Sequence, residues 1–111
     1  MDYRTINTDR QFKDATGQSK EEFLTLLKDF EKTYFNKNGQ SYESHIEEYE
    51  TDPPKIKTLG DALFFVLFQM KNDLIWGSLG CVFGLSGSTA HSNFTNFSDL
   101  LELTLEKKSK A

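Results

Sequence analysis

Apolar positions recur along this chain at steps of three and four, the period of an α-helix, and no stretch combines β-branched enrichment with the strict alternation of a half-buried strand. Phe23, Leu26, Leu27, Phe30 and Tyr34 share one face of a helix predicted from Ser19 to Asn36. That helix opens on Ser19-Lys-Glu-Glu22, the spacing in which a serine hydroxyl and a glutamate carboxylate each satisfy a free backbone N–H. A shorter helix is predicted from about Thr8 to Ala15, ended by Gly17. Thr58, with Asp61 three residues on, marks the start of another that runs to Lys71, with Leu59, Ala62, Leu63, Val66, Leu67 and Met70 as its inward stripe. Phe64, Phe65 and Phe68 widen this stripe until the helix is apolar almost all round, as expected of a central helix or of one with a second face docked on a partner. Leu74, Ile75, Leu79 and Val82 set a short helix from Leu74 to Phe83, stopped by Gly84. Ser86 then caps a last helix to about Lys108, with Ala90, Phe94, Phe97, Leu101 and Leu105 inward and Lys107, Lys108 and Lys110 suiting its C-terminal end.

Between residues 40 and 55 no period is sustained, and Asp52-Pro53-Pro54 blocks any helix from crossing. This stretch reads as a long loop with one helical turn at most, around Ser44 to Tyr49. The fold class is therefore all-α, a small domain of four to five helices containing a helix-turn-helix. One domain covers 1–111, divided into N-terminal helices at 1–39, a loop at 40–57 and a helical core at 58–108. Phe23, Leu27, Phe30, Leu63, Val66, Leu67, Leu79, Val82, Phe94 and Leu101 are the expected core.

With 111 residues the chain can bury one core but cannot house a catalytic domain beside a binding domain. Ten phenylalanines point to a core filled by rings. No apolar run approaches a membrane span, and Met-Asp-Tyr-Arg is not the start of a secretory signal, so no membrane association and a cytoplasmic address are expected. Cys81 is the sole cysteine, so neither an internal disulfide nor a cysteine metal cluster can form, and its apolar surroundings read as core. The net charge of −4 does not describe a protein built to coat nucleic acid. Its distribution says more. Through Gly39 seven basic residues balance seven acidic ones, whereas 40–54 holds Glu43, Glu47, Glu48, Glu50 and Asp52 and no cation, which makes the loop an acidic connector. His45, alone in that connector, reads as solvated rather than as a ligand. Trp76 with Phe64, Phe65 and Phe68 reads as core packing, with a docking patch as the alternative.

Two helices joined by Phe83-Gly84-Leu85-Ser86 have the sequence form of a helix-turn-helix: the glycine permits a left-handed turn, the leucine fills the angle and the serine caps a helix whose first turns can face a major groove. Three segments extend this reading. Gln11-Phe-Lys-Asp-Ala-Thr-Gly-Gln-Ser-Lys-Glu-Glu-Phe23, Lys57-Thr-Leu-Gly-Asp-Ala-Leu-Phe-Phe-Val-Leu-Phe-Gln-Met-Lys71 and Leu74 to Ala90, in that order and spacing, resemble the N-terminal domain of bacterial insertion-sequence transposases of the DDE superfamily. The resemblance covers about Gln11 to Leu105. It implies recognition of terminal inverted repeats in double-stranded DNA, while the carboxylates for strand transfer belong to a following domain. No enzyme activity and no cofactor or metal are then expected of this chain. The candidate DNA-binding residues are Lys71, Ser86, Ser88, Thr89, His91, Ser92, Asn93 and Asn96, with Lys55, Lys57 and the C-terminal lysines as further phosphate contacts.

One departure bears on that expectation. Between Lys71 and Lys107 there is no Lys or Arg, against the four acids Asp73, Asp99, Glu102 and Glu106, so the usual phosphate clamps of a recognition helix are missing. His91 and Asn93 read equally as base readers or as solvated surface. The alternative function is a helical protein-interaction module derived from such a domain, and a homodimer or a protein partner stays open.

Overall fold

The capping residues place most of the helix starts. The computed structural model describes the backbone of residues 1–110 and the side chains through Ser109, so the Lys110 side chain named above lies outside the described residues. After a 3-10 turn at Tyr3–Thr5 come six helices: α1 (Asp9–Thr16), α2 (Lys20–Asn38), α3 (Tyr42–Ile46), α4 (Leu59–Asn72), α5 (Trp76–Phe83) and α6 (Gly87–Lys110). The Ser19 capping box forms with both of its bonds, Glu22 N to Ser19 Oγ at 3.1 Å and Ser19 N to Glu22 Oε1 at 2.9 Å. Those bonds favour the charged carboxylate and hold Glu22 below the usual glutamate range. Gly17, Gly39 and Asp73 end α1, α2 and α4 in the left-handed conformation. The fold is all-α, and among the described residues no helix is long and apolar enough to cross a membrane.

α4 is the central helix. Every residue from Ala62 to Gln69 is buried, and the helix packs against α1, α2 and α6. Its apolar circumference thus serves internal packing, with Phe64 and Phe65 almost inaccessible and Phe83 set edge-on to both. Met70, at the end of its expected stripe, is instead exposed. Leu27 and Val82 are partly buried at the edge of the core.

The acidic connector is more ordered than its sequence suggests. Ser41 caps α3, which starts two residues before the expected turn, and its first two residues reach across to the start of α4. The buried Tyr42 hydroxyl donates to the Ile56 carbonyl at 2.6 Å, and a Glu43 carboxylate oxygen accepts the Leu59 N–H at 2.7 Å. Arg4 closes the same corner, donating to Asp61 at 2.8 Å and to Thr58 Oγ1 at 3.1 Å. His45 is not simply solvated. It is half-buried, with Nδ1 2.6 Å from the Tyr34 hydroxyl.

Tyr42 yields a test of this latch. Burial pushes its phenol well above the usual tyrosine range. A raised acid contributes stability that is present below its ordinary pKa near 10 and is lost as pH rises, because the unfolded chain ionises first. Tyr42→Phe leaves the Ile56 carbonyl without its partner and is expected to cost about 1–3 kcal/mol near neutral pH. In urea melts the variant should also lose less stability than wild type between about pH 9 and pH 11. Equal alkaline losses would show that Tyr42 is not buried as described.

The C-terminal half departs from its sequence pattern at three places. α5 begins at Trp76 rather than Leu74, because the buried Gln69 side chain brackets Leu74, accepting its N–H at 3.1 Å and donating to its carbonyl at 2.8 Å. Cys81 is exposed, since α5 turns Leu79 and Gly80 inward and Cys81 outward. The α6 stripe is also rotated: Ala90, Phe97, Leu100, Leu101 and Thr104 are buried, Phe94 is half-buried and Leu105 is exposed.

Candidate nucleic-acid interface

The turn between α5 and α6 is built from the backbone outward. Gly84 adopts φ 72°, ψ 31°, which lets its N–H and that of Leu85 both reach the Gly80 carbonyl, the latter at 2.7 Å. Leu85 is buried in the angle. Ser86 caps α6 by accepting the Thr89 N–H at 3.2 Å on its hydroxyl, and its carbonyl accepts the Ala90 N–H at 2.9 Å. The helices approach so closely that a Cβ on Gly80 would fall on the Leu85 carbonyl oxygen, with Leu85 C and Ser86 C at 3.1 Å. One turn away, a Cβ on Gly87 would lie 3.3 Å from Gly77 N.

This turn brings part of the expected DNA set together. Ser86 Oγ donates to Thr89 Oγ1 at 2.8 Å and lies 3.3 Å from Ser88 Oγ, so three hydroxyls surround the α6 N-terminus. Ser88, Ser92 and Asn96 are exposed at steps of four and form one row along the helix. Asn93, beside that row, is half-buried. His91 is exposed, and its ring stacks on Trp76 with centroids 4.6 Å apart and planes at 20°. Trp76 also lies 5.6 Å from Phe94, so it packs with α6, while Phe64, Phe65 and Phe68 are internal and share no surface patch with it.

The cations are placed by tertiary structure. Lys71 lies at the end of α4, its Cδ 3.8 Å from where a Gly17 Cβ would stand, and so extends toward the end of α1. Lys108 pairs with Asp29 at 3.1 Å, roughly 30 Å along the helix axis from Ser88. Lys55 is much nearer the turn, with its Nζ donating to the Gly84 carbonyl at 3.2 Å. Lys37, at the end of α2, borders a cleft with Asn96, Tyr34 and Phe97. Nothing local in the sequence marks Lys37, because its proximity to Asn96 depends on how α2 and α6 pair.

Electrostatically, the exposed start of α6 combines free backbone N–H groups, the positive end of the helix dipole and a set of hydroxyls, with Lys55 at the adjoining turn. Such a surface can accept a phosphate beside the turn and offer uncharged donors and acceptors further along. Among the described residues no group of three His, Cys, Asp or Glu side chains converges on a common metal position. No family model, curated protein or solved structure matches this chain.

Proposed function

We propose that this chain is a DNA-binding helix-turn-helix domain of the transposase kind, which reads element ends through α6 and carries no strand-cleaving chemistry of its own. The observation that supports this reading best is the turn: α6 starts on an exposed, serine-capped end directly after a left-handed glycine and a buried leucine. Lys55 and the first N–H groups of α6 hold phosphate beside the turn. Ser88, Ser92 and Asn96, with Asn93 at the margin, face base edges, where an amide can pair with adenine through two hydrogen bonds. His91, held flat on Trp76, supports the margin of this face.

Selection from a random duplex pool at low salt tests the proposal. One enriched sequence is expected, with Asn96→Ala and Asn93→Ala each lowering discrimination by about 1–3 kcal/mol and Lys55→Ala weakening all sequences alike. Because few cations border the face, log affinity should fall shallowly with log salt, by roughly 0.9 per phosphate contacted. An unenriched pool, or variants that select as wild type does, would sink the reading. A second reading, a helical module that docks a protein, is favoured by a specific observation: Met70 and Ile75 stand exposed beside Trp76 and Phe94.

A further inference from the structure

Between the end of α4 and the first turns of α5 and α6 lies a hollow of about 660 Å³, walled by Met70, Ile75, Trp76 and Phe94 and bordered by Asp73. Ile75 is 77% exposed and Met70 60%, the two most exposed large apolar side chains among the described residues, and both line this one hollow. Nor does the exposure belong to a loose loop. Gln69, itself buried, fixes Leu74 through two hydrogen bonds, and this holds Ile75 in place at the head of α5.

The electrostatic setting identifies what this surface fits. Asp73 caps α4 in a left-handed conformation, and among the described residues its carboxylate has no ion-pair partner. The free carbonyls at the α4 C-terminus add the negative end of a helix dipole at the same corner. On α6, Glu102 lies two steps of four beyond Phe94, exposed and about 12 Å further along the helix axis, so the nearest charge on that side of α6 is also negative. No Lys or Arg occurs between Lys71 and Lys107, and Lys71 extends toward Gly17.

We infer that the Met70–Ile75–Trp76–Phe94 hollow docks an amphipathic helix of a partner protein, its apolar side chains seated in the hollow and its flanking lysines or arginines paired with Asp73 at the rim and with Glu102 further along α6. The inference rests on the protein-docking reading and names the partner's chemistry; it is independent of DNA recognition by the Ser88–Ser92–Asn96 row.

Trp76, the only tryptophan in the chain, reports on the site directly. The probe is a synthetic helical peptide with leucines at i, i+3, i+4 and i+7 flanked by lysines, set against the same peptide with every lysine replaced by glutamate. A saturable change in Trp76 emission is expected with the lysine peptide, and binding at least about tenfold weaker with the glutamate peptide. Ile75→Asp should abolish the saturable response even though it adds negative charge, and Asp73→Asn should weaken it several-fold. Ile75 is exposed, so Ile75→Asp should keep the helical circular dichroism of wild type and select duplex DNA as wild type does. Equal affinity for the two peptides, no response to either, or an unaltered response from Ile75→Asp would overturn the inference. So would sedimentation showing that the hollow is already covered by a second copy of the chain, or emission that answers to duplex DNA but not to peptide.

Discussion

Phe65→Ala is expected to lower the unfolding free energy by about 3–5 kcal/mol, and Phe94→Ala by only about 1–2 kcal/mol. Both remove the same ring, so the difference isolates position. Phe65 is fully inaccessible in the middle of α4, with the Phe83 ring edge-on at 5.0 Å, and the surrounding helices leave little freedom to collapse into the cavity. Phe94 packs on Trp76 at one side and faces the hollow at the other. Its removal therefore sacrifices part of a contact rather than opening an internal void. Urea melts of the two variants check this. Equal losses would place Phe94 in the core, with α6 turned to the face that its sequence stripe indicates.

That stripe shows how far the fold could be read from the sequence. Ala90, Phe97 and Leu101 lie inward as their spacing indicates, but Phe94 and Leu105 yield the remaining inward positions to Leu100 and Thr104. A hydropathy pattern prefers phenylalanine to threonine. In the folded chain Thr104 Oγ1 donates to the Leu100 carbonyl at 2.9 Å, so a polar side chain is buried at little cost. Thr16 and Thr33 do the same with the Phe12 and Asp29 carbonyls. The caps at Ser19, Thr58 and Ser86 were legible because their partners lie three residues away. The Tyr42 and Glu43 latch was not, since its partners are 14 and 16 residues distant and become neighbours only when the connector folds back. The same division runs through the candidate site. Its turn could be read locally, whereas the placement of Lys55, Lys37 and Trp76 against it depends on helices pairing.

Two glycines of α5 should respond to alanine with opposite signs. In a helix interior alanine is favoured over glycine by roughly 0.5–1 kcal/mol, because it loses less backbone freedom on folding. A Cβ on Gly77 meets nothing within 4 Å, so Gly77→Ala is expected to stabilise the protein by about that amount. Gly80 is one helical turn further along, where an added Cβ would overlap the Leu85 carbonyl oxygen and crowd two backbone carbons of the turn. None of those atoms belongs to a flexible side chain, so α5 and α6 must separate to admit it. Gly80→Ala is therefore expected to destabilise by about 1–3 kcal/mol despite its better helix propensity. The separation would also disturb the Leu85 plug and the Gly84 and Leu85 bonds to the Gly80 carbonyl, which set how α6 leaves the turn. Thermal and urea melts of the two variants decide the matter. If Gly80→Ala stabilised the chain as Gly77→Ala does, the close crossing of α5 and α6 would be wrong, and with it the geometry on which recognition by α6 depends.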